Sequence, residues 1–227
     1  MVIGIVAAMK VEMQIILENL NDVSEERFIG TSFYRGFLND NEIVICESGV
    51  GKVNASIATT VLINNYDVNL IINTGIAGGL DGAKNRDVII ASGLMYHDFD
   101  IRIFGYDFGQ VPGLPKVFPV NPELITIVKS ILNKLKIGYK EGLILSGDRF
   151  ILDKKGLEEV KNIKALAVEM EGTAIAHVAV KAGVDFIVLR YISDEVGAEN
   201  QEEDYLSFEK EMSERSARIC LKLIENI

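Results

Sequence analysis

The sequence predicts an α/β protein: one three-layer α/β/α domain over residues 1–227, built on a central mixed, mainly parallel sheet. Three observations carry that prediction. Apolar strand-like runs alternate with segments of helical periodicity along most of the chain, and a hairpin signal near the start adds an antiparallel element. No linker, repeat or low-complexity tract divides the 227 residues.

Val2 to Ala7 is a continuous apolar run with β-branched residues, as a buried strand requires. Met9, Met13, Ile16 and Leu20 then recur at helical spacing, so a helix follows. Phe28 to Leu38 and Glu42 to Glu47 are strand-like, and Asn39-Asp40-Asn41 between them is turn chemistry, which predicts a hairpin. A helix is expected over Val53 to Asn64. Leu70 to Asn73 and Val88 to Ser92 are buried strands, with Gly75-Ile76-Ala77-Gly78-Gly79 as a Gly-rich connection after the first. Phe99 to Pro119 is aromatic and punctuated by glycine and proline, the composition of a structured loop. Helices at Glu123 to Lys136, Gly156 to Asn162, Thr173 to Ala182 and Tyr205 to Ile227 alternate with strands at Leu143 to Ser146, Leu166 to Val168 and Phe186 to Ile192.

Composition narrows the function. The chain carries 23 Lys+Arg against 33 Asp+Glu, a formal charge of −10 that excludes a basic nucleic-acid footprint. Its 48% apolar content supplies one sizeable core. The early apolar run from Met1 to Met9 is broken by Lys10 and Glu12, lacks a basic leader and falls far short of the roughly 20 residues that span a bilayer. A soluble cytoplasmic protein without membrane partners is expected. Cys46 and Cys220 have no C-x-x-C companion, so reduced structural thiols are expected. With only His97 and His177 in the chain, a His-rich metal site is disfavoured, and carboxylates must do any proton work.

In open α/β sheets ligands bind beyond the carboxyl ends of strands. Five such ends carry polar groups that their apolar strands do not explain: Met9 to Glu12, Ser48 to Lys52, Asn73 to Gly79, Val168 to Glu171 and Arg190 to Asp194. Glu12 on a first helical turn, taken alone, reads first as a solvated carboxylate favoured by the helix dipole. Ser193-Asp194 reads equally as an N-cap. Gly49-Val50-Gly51-Lys52 and Gly75 to Gly79 miss the phosphate-loop and dinucleotide fingerprints, so each is first a tight turn. His97 is expected to be a hydrogen-bonded structural histidine and His177 a satisfied core residue.

Eight ordered blocks covering nearly the whole chain carry a family resemblance: Gly4-Ile5-Val6-Ala7-Ala8-Met9-x-x-Glu12, Ser48-Gly49-Val50-Gly51-Lys52-Val53-Asn54-Ala55, Asn73-Thr74-Gly75-x-Ala77-Gly78-Gly79, Tyr96-His97-Asp98, Phe104-Gly105-Tyr106 with Gly109-Gln110-x-Pro112-Gly113, Ser146-Gly147-Asp148-x-Phe150, Val168-Glu169-Met170-Glu171 and Arg190-x-Ile192-Ser193-Asp194. In these the sequence resembles the methylthioadenosine/S-adenosylhomocysteine nucleosidases of the nucleoside phosphorylase superfamily. The resemblance implies a nucleoside-phosphorylase-like fold and hydrolysis of the N9–C1′ bond of 5′-methylthioadenosine, S-adenosylhomocysteine and 5′-deoxyadenosine, within methionine salvage and the recycling of S-adenosylmethionine by-products.

It also implies roles. Asp194, helped by Ser193, protonates adenine N7, and Glu12 activates water. Glu171 grips the ribose hydroxyls above Met170. Phe150 stacks on adenine, whose edge the Ile151 backbone reads, while Ala77 and Gly78 border the substrate. Met9, Val50 and Phe208 line a slot for the 5′-alkylthio group, with Tyr106 and Pro112 supplied by the partner subunit of a homodimer. Glu169 and Arg190 are further binding candidates, Arg190 either holding water or pairing with a carboxylate. Ile76 departs from the small or hydroxylated residue common in the family, and Glu195 to Ser207 is a long acidic segment. No metal or organic cofactor is implied, since water and two carboxylates suffice. Rival readings are a purine nucleoside phosphorylase, a futalosine hydrolase and a non-catalytic nucleoside sensor. The phosphorylase is disfavoured because Glu12 repels a phosphate dianion and no arginine is expected around the first strand end or Gly75 to Gly79.

Overall fold

A computed structural model describes residues 1–227, with every side chain except that of Lys154. Apolar β-branched runs give the strands of its core. β1 (Val2–Ala7), β4 (Asn41–Glu47) and β5 (Leu70–Gly79) pair in parallel, β1 between the other two. Ile3, Ile5, Ile43, Ile45, Ile71 and Ile72 from these strands are fully buried, each side chain contributing about 1.5–3 kcal/mol by its removal from water. The expected hairpin is present as β3 (Thr31–Leu38) against β4, antiparallel. It is extended by β2 (Asn21–Phe28), an exposed edge strand of mostly polar residues that sequence patterning did not separate from a loop.

The sheet has ten strands in the order β10-β6-β8-β9-β5-β1-β4-β3-β2, with β6 (Val88–Tyr96), β8 (Tyr139–Ser146), β9 (Ala165–Glu169) and β10 (Asp185–Glu195). β7 (Phe118–Pro119) adds to β6. Because β10 also pairs with β5, and β5 with β9, the strands β5, β10, β6, β8 and β9 close on themselves. The expected mixed sheet is thus observed, its longest ladders, β5–β10 and β6–β8, being parallel.

One expectation is corrected here: Gly75 to Gly79 is not a connection but the second half of β5, hydrogen-bonded to β10 as far as Gly79. The glycines serve close approach rather than turning. A Cβ on Gly79 would lie 2.7 Å from the Ala83 carbonyl oxygen, and one on Gly78 2.9 Å from Val196.

Helices α1 (Lys10–Leu17) and α3 (Pro122–Lys134) pack on α5 (Gln201–Ile224), and α2 (Lys52–Tyr66) packs on α4 (Gly172–Ala182), giving the helical layers about the sheet. Asn121 caps α3, its side chain accepting from the Glu123 amide at 2.9 Å, with Pro122 opening the helix. The segment read as a helix at Gly156 to Asn162 is a 3₁₀ turn, Lys154–Val160. Cys46 and Cys220 are both free and buried. Among the described residues no helix is long and apolar enough to cross a membrane.

Candidate active site

The predicted strand ends converge on one cavity, an empty volume of about 670 Å³ that opens to solvent. Of the sequence candidates, Met9, Glu12, Val50, Ala77, Gly78, Phe150, Ile151, Glu169, Met170, Glu171, Arg190, Ser193 and Asp194 line it.

Glu12 is the third residue of α1. Its Oε2 accepts from the Ala8 and Met9 amides at 3.1 and 3.2 Å, so the N-terminus of the helix holds the carboxyl. It is only 1% exposed, which removes the solvated alternative. Burial raises its pKa to about 7, against the opposing pull of the Arg190 charge and of the Met9, Ala8 and Ile76 amides. Room for it comes from Gly75, where a Cβ would stand 2.8 Å from Glu12 Oε1.

Asp194 enters from the end of β10, beside an irregularity in the β5–β10 register between Ile192 and Asp194. A bulge there re-aims the chain, in the manner usual next to functional sites. Its Oδ1 accepts from Ser193 Oγ at 2.6 Å and its Oδ2 from Gln201 Nε2 at 2.8 Å. Burial pushes its pKa upward, opposed by these two donors.

Glu171 and Glu169 leave the end of β9 with different partners. Glu171 Oε1 accepts from the Gly51 amide at 2.7 Å, a donor aimed by the left-handed turn Gly49-Val50-Gly51. Burial and the neighbouring Glu169 charge raise the pKa of Glu171. Glu169 Oε2 accepts from the Glu171 and Gly172 amides at 3.1 and 2.8 Å and binds Arg190, while its Oε1 bonds Ser146 Oγ. Arg190, 2% exposed, also donates to Asn73 Oδ1 and, at 2.9 Å, to the Leu189 carbonyl. The carboxylate pair, one of the two sequence readings of Arg190, is formed with Glu169. Removing either partner of such a buried pair leaves an uncompensated charge, at a cost of about 3–5 kcal/mol.

Three candidates lie elsewhere. Phe208 is outside the cavity lining: α5 begins at Gln201 and carries residue 208 roughly 10 Å further along its axis at 1.5 Å per residue. There its ring lies 5.0 Å from the Arg86 guanidinium. Tyr106 and Pro112 are exposed on the long loop, outside the lining contributed by their own chain. His97 also departs from expectation, since its buried Nε2 has no hydrogen-bond partner. His177 is half-buried rather than in the core, and its Nδ1 bonds the Tyr96 hydroxyl at 3.1 Å.

A family model described as the Phosphorylase superfamily matches residues 2–225. A 5′-methylthioadenosine/S-adenosylhomocysteine nucleosidase of Staphylococcus carnosus (strain TM300) is 39% identical over 229 residues, covering 99% of this chain and 100% of that one. The chain belongs to this nucleosidase family of the phosphorylase superfamily. Among solved structures, the S-adenosylhomocysteine nucleosidase of Streptococcus pyogenes in complex with 5-methylthiotubericidin superposes with a TM-score of 0.94 at 36% identity, over 100% of this chain and 97% of that one. A futalosine hydrolase mutant of Helicobacter pylori superposes equally, at 0.94 and 32% identity over 100% and 99% of the two chains.

Sequence reasoning missed two lining residues in the acidic segment and Arg149 outside it. Gln201 and Tyr205, one helical turn apart on α5, both face the cavity, and Tyr205 meets the Phe150 ring edge-on at 5.2 Å. Arg149 and Ile76 also line the cavity, with Ala8, Thr74, Gly75 and Val168. The i, i+4 spacing of Gln201 and Tyr205 was readable, but the surrounding glutamates mark that stretch as solvent-facing.

Proposed function

We propose that this chain hydrolyses the N9–C1′ bond of 5′-methylthioadenosine and S-adenosylhomocysteine, releasing adenine and the 5-thio-substituted ribose. The observation that carries the reading is that Glu12 and Asp194, each 1% exposed, share one cavity. The broken bond leaves positive charge on the sugar and negative charge on the purine. Asp194, whose burial favours the protonated acid, donates to N7, with Ser193 orienting the carboxyl. Glu12 takes a proton from the attacking water, whose oxygen bonds to C1′ as N9 departs with the bond pair.

The remaining lining follows from the substrate's shape. Glu171 accepts from the ribose 2′ and 3′ hydroxyls, and Met170 packs beneath the sugar. Phe150 stacks on the base, an interaction worth about 1–3 kcal/mol in comparable sites. Ala77 and Gly78 border the base, and Met9 and Val50 open the 5′-alkylthio slot. Tyr106 and Pro112 of the partner subunit complete that slot in a homodimer, which gives a use to a loop with Ile103 and Phe104 88% and 75% exposed. Glu169 and Arg190 hold the floor rather than the substrate. Water is the nucleophile, because four lining carboxylates face two lining arginines, one of them already paired with Glu169.

The test is adenine release from methylthioadenosine by purified protein, with and without phosphate. Phosphate-independent turnover is expected, and Asp194→Asn and Glu12→Gln should each lower kcat by about 10²–10⁴-fold. Strict phosphate dependence, or full activity in either variant, would overturn the assignment.

A further inference from the structure

Gln201 is 4% exposed at the first position of α5, and both its amide hydrogens and its amide oxygen are hydrogen-bonded inside the cavity wall. Its Nε2 donates to Asp194 Oδ2 and to the Ile151 carbonyl, each at 2.8 Å, while its Oε1 accepts from the Gly197 amide at 2.9 Å. One amide nitrogen therefore bridges a carboxylate and a backbone carbonyl that converge on the same point.

The proposed reaction puts a purine into that space. A base that takes a proton at N7 from Asp194 presents its 6-substituent beside N7, on the same edge, and therefore toward the Ile151 backbone. In adenine that substituent is an amino group with two hydrogens, the same donor pattern as a carboxamide nitrogen. Two such groups cannot occupy one pair of acceptors.

We propose that Gln201 is an internal occupant of the base subsite, its carboxamide standing in for the purine amino group in the empty enzyme and withdrawing when the base binds. This inference rests on the base placement proposed above. The exchange is favourable at both stages: without the base Gln201 spares Asp194 and Ile151 from being buried unpaired, and with it the 6-amino group takes over both bonds. A 6-oxo purine offers no amino donor there and displaces Gln201 poorly, so the residue sharpens the preference for 6-aminopurines by raising the threshold any base must meet. The turn that must yield is Gly197 to Asn200. Gly197 sits at φ +82° and Asn200 makes no side-chain cap bond, so the contacts that withdrawal of the first turn of α5 must give up are the Asn85 Nδ2–Asp204 Oδ2 bond at 3.0 Å and the edge contact of Tyr205 with Phe150.

The cost of displacement weakens the apparent affinity for the base, as for any ligand whose competent state is only partly populated. Calorimetric titration of adenine into the full-length protein tests this directly. Gln201→Ala should bind adenine about 10-fold more tightly than the unmodified protein, the equivalent of one competing hydrogen bond. Gln201→Met keeps the volume and removes the donors, and should show the same gain, so a folding defect peculiar to the alanine variant does not decide the outcome. A merely structural Gln201 would lower the melting temperature and leave adenine affinity unchanged or reduced in both variants, and that result would overturn the proposal. Adenine binding to none of the three proteins would instead sink the base placement itself, and the proposal with it.

Discussion

At the scale of single residues, the feature that decides the chemistry is a carboxyl held where water cannot solvate its charge. Burial favours protonated Glu12 in the folded chain and raises its pKa to about 7. The unfolded chain gives up that proton near the ordinary value of 4.5. A raised folded-state pKa means that the contribution of this group to stability is complete below about 4.5 and is lost as the pH rises through about 7. Glu12→Gln stays neutral throughout. Urea denaturation of both proteins should therefore give closely similar stabilities near pH 4.5, with the variant becoming the more stable by pH 8. A difference constant across that range would refute the burial argument. Catalysis should run opposite to stability: a general base must be free of its proton, so kcat/KM should decline below about pH 7. The site thus works in the ionisation state that its own burial penalises.

At the scale of elements, β5 explains how that carboxyl is accommodated. Gly75 has ordinary backbone angles, so alanine fits its conformation, but the added Cβ would stand 2.8 Å from Glu12 Oε1. Gly75→Ala should leave the fold intact and displace the carboxyl, with kcat/KM falling about 10²-fold, as for roughly 1 Å of misplacement in a reacting group. Unchanged kinetics would mean that Glu12 relaxes freely and is not positioned by the strand. The same strand marks how far the sequence could be read. Val2 to Ala7, Leu70 to Asn73 and Phe186 to Ile192 announce themselves as buried strands because apolar, β-branched-rich runs dominate them, with Asn73 and Arg190 the polar exceptions, and the structure keeps all three. Gly75 to Gly79 does not, because glycine at a close approach and glycine in a turn look alike in sequence, and only the neighbouring atoms separate them. β2 was hidden for the opposite reason: Asn21 to Arg27 is exposed throughout, so no apolar face imprints a period of two. The cluster of Met9, Glu12, Glu171, Ser193 and Asp194 was legible through family motifs. Gln201 was not, since its role depends on where α5 begins.

At the scale of the whole molecule, the open question is whether one chain makes a complete site. The cavity wall includes half-exposed Val50 and Phe150, while Tyr106 and Pro112 stand exposed outside it. In the proposed homodimer each loop finishes the slot of the other protomer, in the reciprocal manner that two-fold symmetry imposes. Complementation discriminates this from two independent sites. Glu12→Gln removes the base of its own site, and Tyr106→Ala truncates the slot of the partner's. In a dimer of one Glu12→Gln chain and one Tyr106→Ala chain, both lesions fall in the same site and the other site is intact. If the two variants are unfolded together, refolded and allowed to reassociate at random, half the dimers are mixed, so about a quarter of all sites should regain full kcat/KM. Independent sites would each carry one lesion, and the mixture would show only the mean of its parents. Sedimentation should at the same time report a particle of twice the 25.0 kDa chain mass. A monomer that retains full activity on dilution would remove the need for Tyr106 and Pro112 and leave the alkylthio slot open to solvent.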